Sequence, residues 1–213
     1  MERPKRLTGF RRRAVEEALA IIDAEGLEGF SIRRLADALG MRGASLYHHF
    51  TDKDEILDGV ATLAFSELRP LEDDTAGWID WLMQMARSYR QALLAHPNLV
   101  PLIFGRYNRR AGSATYDYAA RRLTAAGVSP AYQITLINAL EAYCTGSVLY
   151  GLNAPASAWK AELPDEGYDD LRLALQNDAV DEEGRFELAC RALLEGLAAR
   201  IEHVDAVPLT PLE

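Results

Sequence analysis

Cysteine is scarce in this chain: Cys144 and Cys190 are the only two among 213 residues, and no CxxC spacing joins them. That excludes a disulfide framework and a cysteine-based zinc site, and a chain of this length buries enough surface to fold without either. Both cysteines sit in apolar helical contexts and read as reduced core residues, a disulfide between them being the other reading. Catalytic punctuation is missing as well. No HExxH, P-loop, run of dinucleotide-binding glycines or nucleophile elbow occurs, so nothing sets a base beside a nucleophile or cradles a phosphate, and no enzyme is expected. The adjacent His48 and His49 point ~100° apart on a helix with no Cys or Glu four residues on, so neither a metal nor any other cofactor is expected. The stretches free of charge, 123–140 and 142–159, carry Pro130, Asn138, Asn153 and Pro155 and are too polar to span a membrane. The N-terminus MERPKRLTGFRRR is basic with no apolar segment behind it, unlike a signal peptide, which points to the cytoplasm.

Strand alternation is absent too, and what remains is helical periodicity. Val15, Ala18, Leu19 and Ile22 form the stripe of a first helix closed by Gly26. Ser31 caps a second, with Ile32, Leu35, Ala36 and Leu39 inward, and Gly40 ends it after about two turns. Gly43 to His49 makes a third, about seven residues long. Thr51 followed by Asp54 reads as a capping box opening a fourth helix over 52–68, with Ile56, Leu57, Val60, Leu63 and Ala64 as its stripe. Pro70, the acidic run 72–74 and Gly77 interrupt the pattern, placing a domain boundary near residue 70 that helix four bridges. Further helices are predicted near 75–95, 97–107, 111–126, 129–152, 166–178 and 183–203. The tail 204–213 should fray. The fold class is therefore all-α, about nine to ten helices: a three-helix headpiece over 1–60 and a larger helical bundle over 70–203.

A net charge of −9 is unexpected for a chain that would meet phosphates, but its distribution is lopsided. Residues 1–13 hold six basic side chains against Glu2 alone, whereas residues 61–213 hold 13 basic and 21 acidic ones. Positive charge lies at one end, and the acidic remainder would keep off DNA. At that end, two short helices joined by Gly40, Met41 and Arg42 have the geometry of a helix-turn-helix, whose second helix enters the major groove of double-stranded DNA.

The run SIRRLADALGMRGASLYHHFTDKDEIL, residues 31–57, resembles the signature of the TetR family of bacterial transcriptional regulators. The match includes Leu35-Ala36 of the second helix, Leu46, Tyr47, His49 and Phe50 of the third, and Lys53 with Leu57 opening the fourth. The resemblance implies that Ser31, Ile32 and Arg33 approach phosphate and base edges, that Gly43, Ala44, Ser45, Tyr47 and His48 line the recognition helix, and that Tyr47, His49 and Lys53 meet the backbone. The chemistry agrees: Arg33 and Arg42 are able to read guanine bidentately, and the hydroxyls of Ser45 and Tyr47 to bond phosphate. With Gly43 and Ala44 where longer side chains are common, specificity leans on Arg33, Arg42 or DNA shape. Tyr47 reads equally as core, and Arg11 to Arg13 as a solvated helix start or an arm for the minor groove.

All three tryptophans and eight of nine tyrosines follow residue 60. By resemblance this domain encloses a small-molecule effector, and Trp81, Tyr89, Phe104, Tyr107, Tyr116 and Tyr143 are its candidate walls, suited to an apolar or aromatic ligand. Ordinary packing is the competing reading for each of them. Helix 183–203 carries a stripe wider than one neighbour requires, and helix 129–152 offers Ala139, Ala142 and Gly146 for close approach. Two such helices from each subunit would make a four-helix homodimer interface, for which Leu136, Leu140, Tyr143, Ser147, Phe186, Cys190, Leu193, Leu197 and Ile201 are the candidates. The expected function is a homodimeric repressor released from a near-palindromic operator by an effector; the alternative is a DNA-binding dimer governed by a protein partner or by abundance.

Overall fold

A computed structural model describes residues 9–65, 77–103, 113–153, 163–164 and 167–206, and these contain no strand. The helices are α1 (Phe10–Gly29), α2 (Ile32–Ala38), α3 (Gly43–Leu46), α4 (Lys53–Ala64), α5 (Trp78–Ala95), a 3-10 turn Pro97–Leu99 running into α6 (Val100–Leu102), α7 (Ser113–Ala125), α8 (Pro130–Asn153), α9 (Asp169–Gln176) and α10 (Glu182–Ala206). By contact density the chain divides into two units, Met1–Arg69 with Gln91–Tyr118, and Pro70–Arg90 with Ala119–Glu213.

In the first unit the stripe of α1 packs on α4, with Ala14, Val15, Ala18, Ile22, Ile56 and Val60 all fully buried. At Gly59 a Cβ would lie 2.8 Å from Val15 Cγ2, so glycine there lets the two helices approach without a shift. The 3-10 turn also packs on α1: Asn98 Nδ2 donates to the Asp23 carbonyl at 2.9 Å, and His96 Nδ1 lies 2.9 Å from Asp23 Oδ2. These contacts bring the segment after α5 into the first unit, a partner for α1 that sequence periodicity does not reveal.

Gly40 ends α2 at φ +67°, with its N–H on the Asp37 carbonyl at 3.1 Å and the Met41 N–H on the Ala36 carbonyl at 2.9 Å. This is a Schellman closure, which absorbs two orphan carbonyls and requires a left-handed residue. Gly40→Ala is expected to lower stability by about 1–2 kcal/mol without touching any contact, read as a shift in the urea midpoint. Nothing lies within 4 Å of a Cβ there, so a loss well outside that range would mean that something other than backbone strain is involved.

The second unit is built on α5, α8 and α10. Trp81, Leu82, Met83, Ala86, Leu136, Cys144, Val148, Phe186, Cys190 and Leu194 are buried. Three ion pairs run along the α5–α10 contact in antiparallel order: Asp80 with Arg191 at 2.9 Å, Arg87 with Glu187 at 2.5 and 2.6 Å, and Arg90 with Glu183 at 2.6 Å. Asp181 caps α10 by accepting the Gly184 N–H at 2.8 Å. The thiols of Cys144 and Cys190 are both buried and free. The neighbouring Cys190 thiol, followed by burial, pushes the Cys144 thiol up, so it stays protonated.

Candidate nucleic-acid interface and effector cavity

Ser31 caps α2 by accepting the Arg34 N–H on Oγ at 3.1 Å. The two arginines that follow differ in what they hold. Arg34 donates to Glu25 Oε1 through Nη2 at 2.6 Å and through Nε at 3.0 Å, bracing α2 against the end of α1. Arg33 is 92% exposed and reaches Asp37 only at 3.9 Å, so little is lost when it turns to another acceptor. Arg42 is exposed at the start of α3 with an extended backbone.

The recognition segment is shorter than its pattern suggests. α3 has four residues, not seven, and the chain then tightens through the His48 N–H on Ser45 O at 3.3 Å and the His49 N–H on Leu46 O at 2.9 Å. Leu46 and Phe50 must both enter the core, 1% and 2% exposed, and the tighter winding turns the chain inward at Phe50. Tyr47 is 56% exposed and so belongs to the surface rather than the core. His48 is exposed beside it. His49 is exposed as well, with its ring 4.4 Å from that of Phe10. Ala44 is exposed, while Ile32, Gly43 and Ser45 are half-buried. A Cβ on Gly43 would meet only Ile32 Cγ2, at 3.8 Å, so the fold does not require glycine there. Lys53 is exposed at the start of α4, with Nζ 3.1 Å from the Phe30 carbonyl and over the Phe30 ring.

This surface is held by a clamp. The Arg11 guanidinium donates to the His49 carbonyl and to Glu55 Oε1 and stacks 4.5 Å over the Phe50 ring, joining the start of α1 to the α3–α4 corner. Arg11 is thus neither a solvated helix start nor an arm. Glu55 in turn accepts the Thr51 N–H on Oε2 at 2.7 Å, while Asp52 Oδ1 accepts the Glu55 N–H at 2.8 Å. The cap therefore sits one residue beyond the predicted Thr51–Asp54 pair: Asp52, whose shorter carboxylate reaches the free N–H, closes the helix start, and Glu55 reaches back. The Thr51 N–H foremost, together with Arg11, holds the Glu55 carboxyl below its ordinary value of 4.5, against the opposing effect of burial. A depressed carboxyl contributes stability that is complete above its unfolded value and lost as pH falls through the folded one. The urea midpoint of the first unit is therefore expected to drop between about pH 5 and about pH 3, and Glu55→Gln to flatten part of that drop; an unchanged pH profile in the variant would remove Glu55 from the account.

Of the four predicted pocket walls among the described residues, Tyr143 alone lines the cavity described in the second unit. Trp81 is 1% exposed under the Arg122 guanidinium. Tyr89 places its hydroxyl 3.5 Å from Thr145 Oγ1, and burial pushes it well up. Tyr116 is half-buried and falls in the first unit, and Phe104 and Tyr107 lie outside the described residues. The cavity has a volume of about 650 Å³ and lies between α8, α9 and the start of α10. Its walls include Arg90, Tyr143, Ser147, Tyr150, Leu171, Leu175, Arg185 and Phe186. The Tyr143 ring stacks on Phe186 with centroids 5.7 Å apart, and burial raises the Tyr143 hydroxyl. Arg90 was legible as a charge on an apolar stripe, since Leu82, Ala86, Arg90 and Leu93 share one face of α5.

Among the predicted interface residues, Leu136, Leu140, Phe186 and Cys190 are buried within the subunit, at 8% exposure or less, and have no area left for a partner. Their stripe faces the subunit's own core because α8 and α10 pack on each other. Tyr143, Ser147, Leu193, Leu197 and Ile201 are half-buried. The exposed face of α10 instead carries Ala189, Ala192, Gly196 and Ala199 at spacings of three and four, and that of α8 carries Ala131, Thr135, Asn138, Ala142 and Leu149.

Residues 14–60 match the family described as bacterial regulatory proteins, tetR family, and residues 69–201 match the tetracyclin repressor-like C-terminal domain. Tetracycline repressor protein class A from transposon 1721 of Escherichia coli is 29% identical over 194 residues, covering 87% of this chain and 89% of that protein. An HTH-type transcriptional repressor of Streptomyces coeruleorubidus is 32% identical over 169 residues, 71% of this chain and 61% of that one. Among solved structures, ActR of Streptomyces coelicolor in complex with actinorhodin superposes with a TM-score of 0.74 at 28% identity, covering 91% of this chain and 99% of that chain. Its apo form gives a TM-score of 0.75.

Proposed function

Because this chain belongs to the tetR family of bacterial regulatory proteins, we propose that it acts as a homodimeric repressor that binds a near-palindromic duplex through α2 and α3 and is released from it by a small-molecule effector. The observation that carries the DNA half is the α2–α3 surface. Arg33, Arg42, Tyr47, His48 and Lys53 stand exposed on a corner that the Arg11–Phe50–Glu55 clamp makes rigid, with the small Ala44 and Gly43 between them. A preorganised cationic corner loses little conformational entropy on docking. Ser31, Ile32, Ser45 and His49 border the same surface and complete the proposed footprint.

We place the pairing on the exposed small faces of α8 and α10; the two-fold symmetry of such a dimer calls for half-sites about one ~34 Å helical turn apart or a multiple of it. Ala189, Ala192, Gly196 and Ala199 allow close helix approach, and Leu193, Leu197 and Ile201 would flank the seam. The effector half is supported by the cavity of about 650 Å³ with its aromatic walls, a size suited to a drug-like molecule. Relatives named for tetracycline and a structural neighbour crystallised with actinorhodin make an aromatic effector the first to try. Release requires only that the effector bind the conformer unfit for DNA more tightly.

Selection of bound sequences from random duplexes tests the first half. On the selected site Arg33→Ala is expected to cost about 1–3 kcal/mol and relax one base position, while Lys53→Ala weakens all duplexes alike and lowers the salt slope by about one. Equal losses on every duplex for Arg33→Ala would overturn its base-reading role.

A further inference from the structure

Among the described residues of the acidic second unit, Arg90 is a cation that the fold leaves incompletely satisfied. Arg90 has a side chain only 10% exposed and lines the cavity. Among the described residues its guanidinium makes a single hydrogen bond, from Nη1 to Glu183 Oε2 at 2.6 Å, and lies 4.8 Å over the Phe186 ring. Nε is buried with no hydrogen-bond partner. A buried N–H left unmet costs on the order of 1–3 kcal/mol, more on a charged group, so an acceptor brought to Arg90 by a ligand would gain from meeting it. The partner carboxylate is poorly committed: Glu183 is 60% exposed, and water satisfies it well when Arg90 is given up.

From this we propose that the cavity takes an organic acid: an aromatic or alicyclic body with one carboxylate or comparable anionic group, seated with the anion on Arg90 in place of Glu183. The inference rests on the effector reading above and names the class of effector. The geometry divides the site by chemistry. Tyr143, Tyr150 and Phe186 with Leu171 and Leu175 offer an apolar bed for the ring system. Arg90 stands among them with the planar fork that meets a carboxylate bidentately. Arg185, tied to Asp178 by bonds of 2.7 Å, is a neutralised pair on the wall and does not compete for the anion. Exchanging Glu183 for a ligand carboxylate keeps the charge balance of Arg90 and gains a contact for Nε. Freeing Glu183 opens one rung of the α5–α10 ladder, which gives binding a mechanical consequence in the fold.

The test uses the full-length protein and two dyes that share an aromatic frame, 1-anilinonaphthalene-8-sulfonate, which carries an anion, and N-phenyl-1-naphthylamine, which does not. Fluorescence titration should show saturable binding of both. Arg90→Gln is expected to weaken the sulfonate by about tenfold or more while leaving the neutral dye within about twofold. Glu183→Gln, which removes an exposed competitor and keeps Arg90, is expected to tighten the sulfonate and not the neutral dye. Ser147→Phe, which fills the cavity, should weaken both. Parallel losses of the two dyes in Arg90→Gln, no gain in Glu183→Gln, or sulfonate binding that ignores Ser147→Phe would each overturn the proposal. Glu183→Gln decides the matter even if Arg90→Gln fails to fold. Binding of the selected duplex, followed in the same samples, separates the two readings. Release of DNA by neutral compounds, with no charge preference at Arg90, overturns this inference and leaves the repressor reading standing. A charge preference at Arg90 with no effect on DNA supports the anion site and removes its role in release.

Discussion

Phe50→Ala is expected to unfold the headpiece under conditions where the second unit keeps its helicity. Phe50 is 2% exposed and turns the chain from α3 into α4, its N–H on the Leu46 carbonyl at 2.9 Å. Truncating a buried phenylalanine costs about 3–5 kcal/mol through lost transfer energy and the cavity left behind. Here the ring also supports the Arg11 guanidinium, so its loss loosens the clamp that fixes α3. Such a cost is a large part of a typical domain's 5–15 kcal/mol stability, so DNA binding should vanish with the headpiece. Circular dichroism melting in two separated steps, with operator affinity lost before the second, is the expected result. A single cooperative transition displaced by less than ~1 kcal/mol would mean that the corner repacks around the missing ring.

The second large effect concerns pairing. Ala192→Glu combined with Gly196→Glu places two carboxylates on the exposed face of α10, where both positions are open: a Cβ on Gly196 meets nothing within 4 Å, and Ala192 is exposed. The subunit should therefore fold normally. Like charges brought together across a two-fold axis oppose association, and burying them without partners costs more. Sedimentation is expected to show a monomer. Because a dimer holds two half-sites through one linkage, losing it should weaken operator binding by about 10²–10⁴, with no change in any DNA-contacting side chain. A variant that stays dimeric with full affinity would move the interface to another face of the molecule.

How much of this was readable in advance follows the range of the forces involved. The helix-turn-helix could be read because its determinants are local: Ser31 capping three residues on, Gly40 closing at positive φ, and apolar stripes at spacings of three and four. The length of α3 was not, because the choice between four residues and seven depends on Phe50 finding a core made by other helices. The capping pair slipped by one residue for a similar reason, since Thr51 and Asp52 are both competent caps and Arg11 favours the register in which Glu55 is anchored. Within the second unit, aromatic content alone did not separate walls from packing. Trp81 is buried, Tyr89 is half-buried against Thr145, and Tyr143 reaches the cavity only because α9 and the start of α10 complete it.

By itself, then, the sequence determined an all-helical chain with a basic end, its family resemblance, its caps and its apolar faces, since each depends on neighbours a turn or two away. Only the tertiary structure decided which arginines stay exposed on the α2–α3 surface and which are taken up in ion pairs. Arg34 is bound to Glu25 nine residues away, and Arg11 to Glu55 at a separation of 44. It likewise decided that α5 and α10 are joined by pairs 93 to 111 residues apart, and that Arg90 stands buried at the edge of a cavity with an N–H unmet. Coulomb pairing and burial act through space, and no periodicity along the chain records which distant residues will meet.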